Sequence, residues 1–269
     1  MSKKMKNPPV YFVIAQIRHH PVLKLEAYAP DIQDKMRKSG YPGYEPGISI
    51  AMQLPGFVEK GNVQQLAFSN MQQVSRFMFS DAEGLNVFIV DQNAITFYST
   101  DYRTFDRFAD EFIKGIQIVD ESVNLSGCTR IGMRYLDAIL PPEGQDDLGE
   151  YLVKEVLGIK NKIPQDANFM RAFSETIFQV KDCTVTARAV TQSGPLGFPP
   201  DLLQIKVNLP ERFSVIDGVH AILDTDAWKE GDRKFDLGTL KSELHDIQQA
   251  ANLAFKVTAT PAAVAAWNN

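Results

Sequence analysis

Asn124–Leu140, NLSGCTRIGMRYLDAIL, sets how this chain divides. Read as a β-strand, it sends Ile131, Met133, Tyr135 and Ile139 to one face and Arg130, Gly132, Arg134 and Leu136 to the other. The first face is core material, and the second carries two arginines around a glycine. That is the composition of a half-buried strand. It lies near the middle of 269 residues and opens a second half whose elements repeat the order of the first.

Upstream, Val10–His19 alternates as a strand with Tyr11, Val13, Ala15 and Ile17 on one face, and Pro21 closes it. Pro30 at a first helical position, Asp31 and Asp34 at the positive end of the dipole, and Gly40 with Pro42 as a stop predict a short helix over Pro30–Lys38. The runs GISIAMQL, VQQLAFS, SRFMFS, LNVFIV and AITFYST between Gly47 and Thr100 predict an antiparallel meander, with hairpin breaks at Asp81–Gly84 and Gln92-Asn93. Asp101 or Thr104 then caps a helix with an apolar stripe of Phe105, Phe108, Phe112 and Ile116.

Downstream, Thr129–Leu140 is a strand, Pro141-Pro142 and Gly144 make a turn, and Leu148–Leu157 reads as a helix stopped at Gly158. Four apolar runs follow: Phe169–Val180, Thr184–Val190, Leu202–Leu209 and Val219–Thr225. After ten or so further residues around Trp228–Lys234 comes a closing helix. Its stripe is Leu237, Leu240, Leu244, Ile247, Ala251 and Phe255, with Asp236 as cap. STDY at Ser99–Tyr102 can be laid on DTDA at Asp224–Ala227.

The expectation is an α+β protein of two tandem β-α-β4-α modules, residues 1–122 and 123–269, the first with one strand candidate more and the second with a C-terminal helical tail. Each has an antiparallel sheet with helices on one face and the other face free. The topology is similar to the TATA-box-binding-protein-like fold, an analogy without functional content.

Composition narrows the function. A net charge of -5 gives no overall attraction to phosphate backbones or anionic lipid, so nucleic acid is disfavoured and a protein or small molecule is the expected partner. The basic N-terminus is followed by an apolar run, VYFVIAQI, broken at Arg18, His19 and His20, so neither a signal peptide nor a membrane span is expected. Cys128 and Cys183 are too few and too far apart for a disulfide framework or a metal knuckle, which fits a reducing cytoplasm.

Arg18, Arg130, Arg134 and Arg188 fall in strands and, sharing a face, could hold a phosphate or carboxylate by forked donors. The plainer alternative is cross-strand pairing with acidic residues. Arg76 also falls in a strand. Asp224 and Asp226 are weak candidates for a shared divalent cation, with a turn or capping role as the stronger alternative. His19 and His20 face opposite ways, His220 has no partner motif, and His245 sits one position off its helix stripe. No catalytic residue, metal or cofactor is therefore assigned. SGPLGFPPD, Ser193–Asp201, has proline where phosphate-binding donors would be needed and reads as a protein contact or a flap carrying Phe198, with a long hairpin connection as the plain alternative. The tail TPAAVAAWNN is a short helix that docks through Trp267 or packs on a second copy.

Several stretches together resemble a sporadically distributed bacterial protein family with no assigned activity. They are the Pro8-Pro9-Val10 opening, APDIQDKMRKSGYP at Ala29–Pro42, RFMFSDAEGLNVFIV at Arg76–Val90, TRIGMRYLD at Thr129–Asp137, ILDTDAW at Ile222–Trp228 and LHDIQQAANLAF at Leu244–Phe255. This chain has Asp137 where the family pattern shows asparagine. The resemblance implies an accessory role such as defence or toxin control. The expectation is a non-enzymatic binding or regulatory protein of antitoxin or immunity type. A binder of a small anion or nucleotide through the strand arginines is the alternative.

Overall fold

Alternating apolar residues commit Val10–His19 and Gly127–Ile139 to strands, and the two pair antiparallel, with Ala15 opposite Met133 and Ile17 opposite Ile131. The computed structural model describes residues 5–51, 72–142, 144–145, 147–164, 169–202 and 207–268. In chain order these form β1 Val10–His19, α1 Leu25–Lys38, β2 Gly43–Ala51, β3 Gln72–Ser80, β4 Asn86–Asp91, β5 Ala94–Ser99, α2 Phe105–Val123 and β6 Gly127–Ile139. There follow α3 Lys154–Leu157, β7 Arg171–Val180, β8 Cys183–Pro195, α4 Glu211–Ser214, β9 Asp217–Lys234, α5 Leu240–Thr258 and α6 Pro261–Ala266.

The fold is a mixed α+β one, with helices packed on an antiparallel sheet. Among the described residues the sheet is single and nine-stranded, in the order β2-β3-β4-β5-β1-β6-β9-β8-β7. A separate sheet for each half is thus replaced by one, because β1 and β6 hydrogen-bond along their whole length instead of presenting free edges.

On the helix face, Val13, Ala15 and Ile17 of β1 meet Phe108, Phe112 and Ile116 of α2 and Leu244, Ile247 and Ala251 of α5 in one apolar cluster. Each fully buried Phe, Ile or Leu contributes about 1.5–3 kcal/mol. Gly115 lets α2 approach β4, since a Cβ there would stand 2.1 Å from the Phe88 ring. Thr104 caps α2 and accepts from the Arg107 amide at 3.3 Å, the second of the two caps expected.

Several boundaries differ from expectation. Helix α1 starts five residues earlier and carries Pro30 inside it, because Leu25, Ala29, Ile32 and Met36 form a buried stripe whose packing outweighs the hydrogen bond that proline removes. The Leu148–Leu157 helix shrinks to α3. Leu152 bridges Ala259 and the Val153 amide bonds the Thr258 carbonyl, so the segment is tied to the end of α5 rather than to itself. Trp228–Lys234 is not an insertion but the far half of β9, paired to β6. Helix α5 begins beyond Asp236, whose carboxylate accepts from the Gly238 amide in a preceding turn. The run VQQLAFS lies outside the described residues.

The second sheet face is not free. The described residues of Leu202–Leu209 form no strand; Leu196, Phe198, Leu202, Val207, Leu209, Phe213 and Ile216 pack on this face instead. Phe198 packs edge-on against Tyr11 and Phe12 at 5.4 and 5.3 Å, the Tyr11 hydroxyl donates to the Gly197 carbonyl at 2.8 Å, and Thr100 Oγ1 donates to the Asn208 carbonyl at 2.7 Å. The loop read as a contact or flap is thereby a cover over the protein's own sheet. Apolar residues on both sides of the sheet explain it: Phe12, Leu136 and Ile222 need burial as much as Val13 does. The C-terminal tail docks as α6, with Trp267 against Phe255 and Tyr151.

Candidate functional site

Pairing places Arg18 opposite Arg130, Arg134 opposite Asp226 and Arg188 opposite Asp224, so all four arginines singled out in the sequence share the second face. Arg76 lies on β3, well across the sheet. Carboxylates occupy the donors. Arg134 grips Asp224 by two bonds of 2.6 and 2.8 Å and reaches Asp201 at 2.5 and 3.3 Å. Arg188 joins Asp224 at 3.4 Å and Glu175 at 2.6 Å. Arg130 lies 3.6 Å from Asp226 and 3.7 Å from Glu230, stacked over Trp228 at 5.2 Å from the ring centroid. Gly132 sits between the two arginines because a Cβ would stand 3.0 Å from Trp228 Cβ and 3.2 Å from the Arg130 guanidinium. Arg18 is exposed and donates to Gln16 at 3.1 Å.

Burial opposes the charge on Arg134, but its hydrogen bonds to Asp224 and Asp201 more than offset this and hold its pKa above the usual value. Burial raises Asp226, with Arg130 and Arg134 pulling the other way. Burial also works to raise Asp201, yet its bond to Arg134 leaves it lowered. Asp224, at 2 % exposure, is held by two arginines. No group of three or more metal-ligating side chains occurs among the described residues.

The remaining candidates are scattered. His19 is buried with Nδ1 on the His20 carbonyl, while His20 meets Asp232 at 2.7 Å. His220 is buried between the Gly218 carbonyl and Gln192, and His245 is exposed beside Phe105. Both cysteines are free and buried, and burial raises each thiol.

Two features went unread in the sequence. One is Asp137, an acid on the β6 face that otherwise carries Ile131, Met133, Tyr135 and Ile139; a charged residue at a core position was the available signal. It is 7 % exposed and makes no hydrogen bond or ion pair with the described residues. Burial pushes its carboxyl up to about 7. It lines a cavity of about 370 Å³ with Tyr102, Tyr135, Thr225, Asn252 and Phe255. The Tyr102 and Tyr135 rings meet at 5.8 Å and 88°. Burial pushes Tyr102 up to about 12 and Tyr135 well above its ordinary value; the Tyr135 hydroxyl has Tyr102 as a polar neighbour but no partner at full hydrogen-bond geometry.

The second is the edge strand β7. Phe173 and Ile177 are 57 % and 62 % exposed, and the adjoining Met170 is 77 % exposed. A groove of about 280 Å³ flanks β7 on the helix side, between Phe178, Ala189 and Val257. Another of about 480 Å³ flanks it on the opposite side, between Arg171, Phe173, Val190 and Phe198. No helix among the described residues is long and apolar enough to cross a membrane. No family model, curated protein or solved structure matches the chain.

Proposed function

We propose that this chain is a non-catalytic binding protein that receives an extended segment of a partner protein along the outer edge of β7. The observation that carries this is a ten-residue edge left unpaired among the described residues, with a groove on each face. A strand added there would satisfy the open backbone groups and drop alternate side chains into the two grooves, the arrangement that gives β-augmentation both affinity and specificity. The opposite edge, β2, is interrupted by Pro46 and two glycines, which blunt pairing; β7 contains neither residue type. The segment received is one with alternating apolar residues, to match Phe173 and Ile177.

The reading of the cellular role is an accessory regulator of antitoxin, immunity or defence-associated kind, and its support is the resemblance described above. We also infer an internal duplication with modules at 1–122 and 123–269 and a TATA-box-binding-protein-like arrangement. Its support is that strand order runs β1-β5-β4-β3-β2 and β6-β9-β8-β7 outward from the central seam, with α2 and α5 following the last strand of each half. Among the described residues the second half contributes one strand fewer than β-α-β4-α requires.

The test compares the wild type with the double variant Phe173→Asp, Ile177→Asp. The variant is expected to melt within a degree or two of the wild type, since both side chains are exposed. A stoichiometric partner recovered from the bacterial host is expected to bind the wild type only and to slow amide exchange along β7. A partner held equally by both proteins, or one that leaves β7 amides unprotected, would overturn the reading. So would a wild-type homodimer that the variant abolishes, since the edge would then pair with itself.

A further inference from the structure

The sequence puts an acid on the core face of β6, and the fold leaves it alone. Asp137 stands among Val10, Ala251, Phe255 and Val264, with Tyr102 and Tyr135 alongside. A buried carboxylate without a partner is costly; the buried Asp224 has an arginine, as does the half-buried Asp226. At about 370 Å³ the cavity is of small-ligand size.

We propose that this cavity binds a small organic primary ammonium compound with an apolar body, the ammonium seated on Asp137 and the body against the aromatic and aliphatic walls. The chemistry selects that class. An ammonium group offers a compensating charge and three donors to a carboxylate that has neither among the described residues, and the Tyr102 and Tyr135 rings, which meet edge to face, line the same cavity. An anion would be repelled by Asp137, and a neutral alcohol would leave the charge uncompensated. Thr225 and Asn252 can bond a further polar group, while Lys256 lines the cavity from an exposed position where water screens it. The upward shift of the Asp137 carboxyl under burial has the direction expected of a site completed by a cation. This inference is independent of the β7 reading.

Calorimetric titration at pH 8 with phenethylamine and hexylamine, each against its matched alcohol, tests it on the full chain. At least one amine is expected to bind roughly tenfold more tightly than its alcohol, about 1.4 kcal/mol for an ion pair made away from water. The preference is expected to vanish in Asp137→Asn. Carboxyl carbon NMR of the wild type supplies a readout that needs no variant: saturating amine should move the Asp137 titration to lower pH. Amine and alcohol binding alike, no binding of either amine, or an Asp137 titration unmoved by bound amine would each refute the proposal.

Discussion

Arg134 and Asp224 face each other diagonally across β6 and β9, two positions out of register, and form a two-bond pair of 2.6 and 2.8 Å with the carboxylate 2 % exposed. This pair, extended by Arg188 and Asp201, occupies the donors of Arg134. Five carboxylates pair with three guanidinium groups, those of Arg130, Arg134 and Arg188, so that cluster holds no surplus positive charge.

Removing one partner should be worse than removing both. Arg134→Ala leaves Asp224 buried with only the longer Arg188 contact and is expected to cost about 3–5 kcal/mol. Arg134→Met with Asp224→Leu should recover most of that. Urea unfolding of the three proteins measures it, and equal losses would mean the pair is not the source of the effect.

Gly115→Ala should destabilise despite alanine's better helix propensity. The gain is about 1 kcal/mol, but a Cβ 2.1 Å from a fully buried Phe88 ring forces that ring or the α2 backbone to move, at about 1–3 kcal/mol. Thermal unfolding should show a net decrease, and Phe88→Leu should relieve it.

Asp137 makes stability fall with rising pH. Its carboxyl ionises near 3.8 when unfolded and at about 7 when folded, so over that window the folded state holds a proton the unfolded chain has lost. The contribution is complete below about pH 4 and is lost as pH rises through 7, at up to roughly 1.4 kcal/mol per unit. Asp137→Asn removes that slope, and its stability relative to wild type should therefore improve between pH 5 and pH 8. Denaturant curves at the two pH values check this; parallel behaviour would contradict it.

Phe198→Ala should loosen the cover before it unfolds the protein. The ring is half-buried between Tyr11 and Phe12, so a loss of about 2 kcal/mol is expected, with cleavage by protease between Leu196 and Ile216 preceding cleavage elsewhere. Uniform cleavage along the chain would place the cover within the global folding unit.

What could be read from residue order alone was local. Period-two alternation marked β1 and β6, period 3.6 marked α2 and the body of α5, and Thr104 marked a cap, because each signal lies within a few residues of the element it specifies. The mixed α+β class and the placing of Arg130 and Arg134 on one strand face follow from the same periodicity, whereas pairing brings Arg18 and Arg188 to that face.

Tertiary structure alone decided the rest. That β1 and β6 join one sheet, that Phe198, Leu202, Leu209 and Phe213 cover its second face, and that Asp224 is shared by two arginines depend on contacts between residues far apart in sequence. A strand's side-chain pattern says which face is apolar but not what will cover it. Asp137 shows the division most clearly: its position on β6 was legible, but its surroundings exist only once the N-terminal segment, β9, α5 and α6 have closed around it, with no ion pair to its carboxylate among the described residues.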